Sequence, residues 1–169
     1  ECVTFIHNGG KKTYSLDNLK EVEANVCKEN KIVDIGKNTF LLCSLSGSHA
    51  YGFSTPESDY DVRCVHVSPT EDFFKLRKPR EVIEMGSAKP GDVDFVSYEV
   101  EKALRLMEKG NGNIIENVTN PFAVFNEEGR KLKELGKKSI SKKLYYHYRG
   151  FAHNYMKDAE KRDVFQNPK

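Results

Sequence analysis

The chain has 169 residues, a formal net charge of +2, and 38% hydrophobic against 31% charged residues. That length buries one compact core without staples, and no apolar run approaches the roughly twenty residues that a membrane-spanning helix needs. A charge so close to zero does not announce a nucleic-acid binder, although the basic residues crowd late: Arg130, Lys131, Lys133, Lys137, Lys138, Lys142, Lys143 and Arg149 stand against Glu134 alone between residues 130 and 149.

In chain order, residues 2 to 14 alternate around an Asn-Gly-Gly turn and predict a hairpin. Residues 15 to 31 place Leu16, Leu19, Val22 and Val26 at helical spacing behind a Ser15 cap. The run 39–45, TFLLCSL, reads as a buried strand ending in a Ser46-Gly47-Ser48 turn. A second strand follows over 59–67, DYDVRCVHV, with two more over 80–85 and 92–98. Helical spacing runs through 99–110 and stops at Gly110, and a short helix starts near Asn111. Two further helices, over 126–136 and 139–163, complete the chain, the last with an aromatic stripe through Tyr145, Tyr148, Phe151 and Tyr155 that packing is expected to absorb in good part. The fold class is α+β, a mixed sheet flanked by helices. Residues 1–125 are expected to form the core and 126–169 a helical extension whose natural continuation lies past Lys169. Glu1 is followed by no basic-then-apolar leader. Cys2, Cys27, Cys43 and Cys64 lack C-x-x-C spacing, so they are expected to be reduced packing residues of a cytoplasmic protein.

The chemistry concentrates in LSGSHAYGFSTPESDYDVRCVHV, residues 45 to 67. Residues two apart on a strand share a face, so Asp59 and Asp61 present adjacent carboxylates to one volume and repel unless neutralised. Mg²⁺ is typically held by one or two carboxylates together with substrate phosphates. The Gly47-Ser48 turn suits the phosphates, because glycine admits close backbone approach and turn N–H groups cradle anions. Arg63 shares the carboxylate face by alternation, to bind phosphate or to balance charge. Solvated acids on an edge strand are the plainer alternative, and the combination with the Gly-Ser turn weighs against it. His49 is read as an exposed turn residue, Lys102 and Arg105 as surface charges, and Asn111, Asn113 and Glu116 as a helix start.

An apolar strand, Gly-Ser, ten residues and then Asp-x-Asp in a strand resembles the signature of polymerase-β-type nucleotidyltransferases. That superfamily takes a third carboxylate from a later strand, for which Asp92 and Asp94 both qualify. The segment is similar, more specifically, to the YcgL or RlaP-like family. The matching positions are Gly47, Ser48, Ala50, Tyr51 and Gly52; Thr55, Pro56, Ser58, Asp59, Tyr60 and Asp61; Asp94, Tyr98 and Lys102; and Gly110, Asn111, Asn113 and Glu116. This resemblance selects Asp94. Gly112 stands where the family often has Pro, and a further helix with basic and His positions is not found before Lys169.

The resemblance implies an Mg²⁺-dependent (or Mn²⁺-dependent) enzyme that transfers NMP from a nucleoside triphosphate to an acceptor hydroxyl, with RNA favoured as acceptor. Asp59, Asp61 and Asp94 would hold metal, while Gly47, Ser48 and Arg63 would hold nucleotide. Transfer to a protein or small-molecule hydroxyl, and a catalytically silent nucleotide-sensing or protein-binding module, are the alternatives.

Overall fold

The computed structural model describes residues 2–7, 10–16, 21–22, 30–86 and 93–162. Strands β1 (Cys2–His7) and β2 (Gly10–Ser15) pair antiparallel in the register predicted for the hairpin, closing with His7 opposite Gly10. Strand β3 (Glu21–Val22) adds to β2, and β4 (Asn30–Asp34) lies parallel to β1, giving a four-stranded sheet in the order β3-β2-β1-β4. The helix expected over 15–31 is therefore corrected at both ends and in its middle: Ser15 closes β2, Glu21–Val22 pair with Tyr14 and Thr13, and Asn30 and Lys31 open β4. At these described positions sheet pairing overrides both the helical spacing and the helix-favouring Leu, Lys and Glu residues around it. Residues 17–20 and 23–29 lie outside the described residues.

The second sheet has five strands: β5 (Thr39–Leu45), β6 (Tyr60–Val67), β7 (Val82–Met85), β8 (Val93–Glu99) and β9 (Val124–Phe125), in the order β7-β8-β6-β5-β9. It is mixed: β6 and β8 are parallel, and the other pairs are antiparallel. Helices α1 (Gly47–Tyr51) and α2 (Thr70–Phe73) flank β6 in the chain; α3 (Val100–Glu108), α4 (Gly112–Thr119), α5 (Glu127–Ser139) and α6 (Lys142–Arg162) follow β8. Gly110, with φ 72°, supplies the left-handed residue that ends α3.

Both faces of the five-stranded sheet are covered, which is why its strands read as apolar runs. On one side Cys43, Val62, Cys64, Val93 and Phe95 meet Val3, Phe5, Leu16, Val33 and Ile35. Phe5 sits at the centre of that layer, 4.8 Å from Phe40 and 5.8 Å from Phe95 between ring centroids. On the other side Leu41 and Val65 pack under Ala103, Met107, Ile114, Ile115, Val118 and Leu132 of α3, α4 and α5.

Two sequence expectations are corrected here. Cys43 and Cys64 are direct cross-strand partners with Cα atoms 4.1 Å apart, and they form a disulfide rather than two reduced thiols; Cys2 is disulfide-bonded as well. Register places the two sulfurs together, and spacing along the chain does not show it. The aromatic stripe of α6 is also less absorbed than expected: Leu144 joins the second core, while Tyr145, Tyr146, Phe151 and Tyr155 remain 49% to 63% exposed. Among the described residues no helix is long and apolar enough to cross a membrane.

Candidate active site

Strand β5 delivers the chain into Ser46, whose N–H donates to the Asp61 carbonyl at 2.8 Å and locks the following turn onto β6. Gly47 then adopts φ 60°, and a Cβ built there would lie 2.1 Å from Asp61 Oδ2. Glycine is required twice over, for the left-handed backbone and for the space. Ser48 follows as the second residue of α1.

The parallel register of β6 and β8 sets Asp61 directly opposite Asp94. Two residues farther along β6, Arg63 points to the same side and reaches back between them. Its Nη2 donates to Asp61 Oδ1 at 2.6 Å and to Asp94 Oδ2 at 2.9 Å, and Nη1 donates to the Asp94 carbonyl at 3.4 Å. The side chains of Arg63, Asp61 and Asp94 are 24%, 29% and 45% exposed, so a dissolved ligand reaches them. Of the two roles expected for Arg63, charge balance is the one its side chain performs here.

Asp59 lies one residue ahead of β6, exposed and outside this trio; Asp92 falls outside the described residues. Among the described residues no three His, Cys, Asp or Glu side chains gather closely enough to hold a metal ion. The acids that converge are Asp61 and Asp94, and a cationic nitrogen lies between their oxygens. The pair thus accommodates a positive centre, and its oxygen-only donors suit a hard divalent cation.

The turn around α1 is well tied. The His49 ring stacks on Tyr60 at 4.0 Å and 18°, with Nε2 3.3 Å from the Ser58 carbonyl. Thr55 and Ser58 bond each other through backbone and hydroxyl groups. At the end of α1 the Tyr51 hydroxyl donates to Glu116 Oε2 at 2.6 Å, and the Tyr148 hydroxyl donates to Glu116 Oε1. That carboxylate pushes the Tyr51 phenol up to about 12; burial, and then the same carboxylate, push Tyr148 up too. Tyr51 and Glu116 both belong to the motif read from the sequence, but their contact spans 65 positions and no local pattern announces it. Glu116 is therefore more than part of a helix start.

Other sequence candidates resolve simply. Lys102 and Arg105 both pair with Glu81, away from the carboxylates. Asn111 caps α4 by accepting from the Ile114 N–H at 3.3 Å. Asn117, which sequence reading passed over, is 4% exposed; its Oδ1 accepts from the Ser44 hydroxyl at 2.7 Å, and its Nδ2 has no partner.

The family described as "RNA repair pathway DNA polymerase beta family" matches residues 15–167. The uncharacterized protein MJ0002 of Methanocaldococcus jannaschii is 38% identical over 128 residues, covering 74% of this chain and 51% of its own length. The uncharacterized protein YcgL of Bacillus subtilis is 34% identical over 119 residues, covering 67% of this chain and 44% of its own. The chain thus spans about half the length of the curated relatives it matches, and no solved structure matches it. With the family match extending from the first sheet through α6, this chain belongs to the RNA repair pathway DNA polymerase beta family.

Proposed function

We propose that the chain carries the catalytic core of a nucleotidyltransferase that moves NMP from a nucleoside triphosphate to an acceptor hydroxyl, with RNA as the acceptor. The observation that supports this reading best is the register-paired Asp61 and Asp94, bracketing a positive charge directly beneath the Gly47 turn. RNA is favoured by the family description and by the late basic segment.

In this reading the Gly47 backbone and Ser48 hold the β- and γ-phosphates. The acceptor oxygen attacks the α-phosphorus, the bond to the pyrophosphate oxygen breaks, and the acceptor proton passes to Asp94. Arg63 leaves the carboxylates to meet phosphate oxygens as the nucleotide enters, exchanging one anionic partner for another. Asp61 and Asp94, joined by Asp59 from the exposed lead-in to β6, would hold Mg²⁺ or Mn²⁺, which stabilises entering and leaving oxygens of an in-line displacement when bound.

The test is binding of ATP, GTP, CTP and UTP with and without Mg²⁺, together with transfer of an α-labelled nucleotide to an RNA oligonucleotide. Asp61→Asn is expected to abolish transfer and metal-dependent nucleotide binding while thermal unfolding stays close to the parent, because the carboxylate is partly exposed and its ion pair contributes little to stability. Arg63→Gln is expected to tighten Mg²⁺ binding in the absence of nucleotide, since two facing carboxylates lose their neutralising partner. Full transfer by the Asp61→Asn protein would refute the assignment.

A further inference from the structure

Beside α1, a recess of about 280 Å³ that Asp61 does not line opens between the end of β5, the last turn of α1, α4 and the Asn120–Phe122 turn. We propose that this recess receives the nucleobase of the bound nucleotide. The inference rests on the nucleotidyl-transfer reading and adds to it the place where the base is recognised.

Three observations carry it. Asn117 lines the recess, is 4% exposed and keeps an unpartnered Nδ2; a buried amide donor left unmade costs about 1–3 kcal/mol unless something accepts from it. Three of the neighbouring polar side chains are already engaged: Asn120 donates to the Leu45 carbonyl and accepts from the Phe122 N–H, Thr119 donates to the Ile115 carbonyl, and the Glu116 oxygens take the two phenols. The Ser46 hydroxyl, which makes no cap bond, lines the recess as well, so a ligand's acceptor atoms are offered that hydroxyl and the Asn117 amide. Next, Tyr51 and Phe122 line it with 61% and 77% of their surface exposed; the Tyr51 ring already stacks on Phe53 at 5.9 Å, so Phe122 is the aromatic ring open to a base. Finally, α1 itself sets the spacing. Its first residue, Gly47, abuts Asp61, and its last, Tyr51, borders the recess, about 6 Å apart along a five-residue helix. A ribose spans a gap of that length between phosphates at Gly47 and a base beside Tyr51.

The lining also excludes rivals. No Lys, Arg or His borders the recess and the Glu116 carboxylate does, so a second phosphate is disfavoured. A purely apolar ligand would leave the Asn117 donor unmet. A flat, stackable group with a ring-nitrogen or carbonyl acceptor on its edge satisfies both demands, and a nucleobase is that group.

The experiment compares binding of each of the four nucleoside triphosphates with binding of inorganic tripolyphosphate, in the parent chain, in Phe122→Ala and in Asn117→Asp. Phe122 is exposed, so its truncation leaves the fold intact; Asn117→Asp keeps size and the Ser44 bond while replacing the donor with an acceptor. Phe122→Ala is expected to weaken nucleotide binding by about five- to a hundredfold and leave tripolyphosphate binding unchanged. Asn117→Asp should weaken the preferred nucleotide most and level the preference among bases. The proposal is overturned if both variants bind every nucleotide as tightly as the parent, if tripolyphosphate binding falls in step, or if the parent binds nucleotide no more tightly than tripolyphosphate. In those cases the transfer reading stands with its base held elsewhere. A parent chain that binds neither probe would remove both readings together.

Discussion

Asp61 and Val62 are consecutive residues of β6 with opposite fates. Val62 is fully buried between the two sheets, in the layer that holds Cys64, Phe95 and Phe5. Asp61 faces the helical side, partly exposed, with Arg63 and Asp94. Farther along that second face Val65 lies sealed under α3 and α4, so the same side of one strand passes from a charged end to a dry one within five residues. Alternation sorts the side chains between faces. Coverage by helices decides where on a face charge can survive, because a carboxylate beneath α4 would lose its water with no partner to replace it.

The comparison predicts that changes on the sheet-to-sheet face cost stability and spare ligand binding, the reverse of Asp61→Asn. The largest effect is expected from Phe95→Ala, which removes a fully buried ring from the aromatic layer and should lower the unfolding free energy by about 3–5 kcal/mol. Nucleotide affinity of the folded fraction should be unchanged; an altered affinity would show that the two faces are coupled through β8.

Replacing Cys43 and Cys64 together by Ala comes next. The bond closes a loop of 21 residues, and in the chain-entropy account its loss costs about 3 kcal/mol. Non-reducing mass measurement of the parent, with and without reductant, checks the bond itself, and urea unfolding checks its worth. Equal stability of the parent and the double variant, both without reductant, would contradict the prediction.

The smallest of the three is a pH effect. His66 is fully buried on the same face, bonded through Nδ1 to the Ser97 hydroxyl at 2.8 Å, and burial holds it down to about 4 from an ordinary 6.5. The unfolded chain takes up this proton before the folded one does. Stability is therefore full above pH 6.5 and falls as pH drops toward 4, by about 2 kcal/mol between pH 7.5 and pH 5. Urea titrations at the two pH values should show that loss in the parent and not in His66→Gln; equal slopes would break the assignment.

Much of this site is legible locally. Residues 39–45 are β5 as read, Asp61 lies in a strand as alternation requires, and Gly47 precedes it in a turn. Helices α3 and α4 fall where spacing, Gly110 and Asn111 place them. In the early segment apolar residues three and four apart suit a helix, yet at Glu21–Val22 and Asn30–Lys31 pairing with β2 and β1 rewards extension. The cysteines were misread because their bond depends on cross-strand register. Packing is expected to absorb the α6 aromatics in good part, yet α6 is anchored by its first turns against α4 and the end of α3, and most of its aromatic surface faces outward.

The sequence by itself determined the strand that carries Asp61, the glycine turn before it, the strand periods of β5, β6, β7 and β8, the helix periods of α3, α4 and α5, and the family to which the chain belongs. Those are local patterns, written in spacings of two and of three to four residues. Tertiary structure alone decided that Asp94 stands opposite Asp61, that Arg63 joins them, that Cys43 meets Cys64, and that Glu116 binds phenols from two different helices. Each of those contacts is set by strand register or helix packing, and many spacings along a chain are compatible with any one of them.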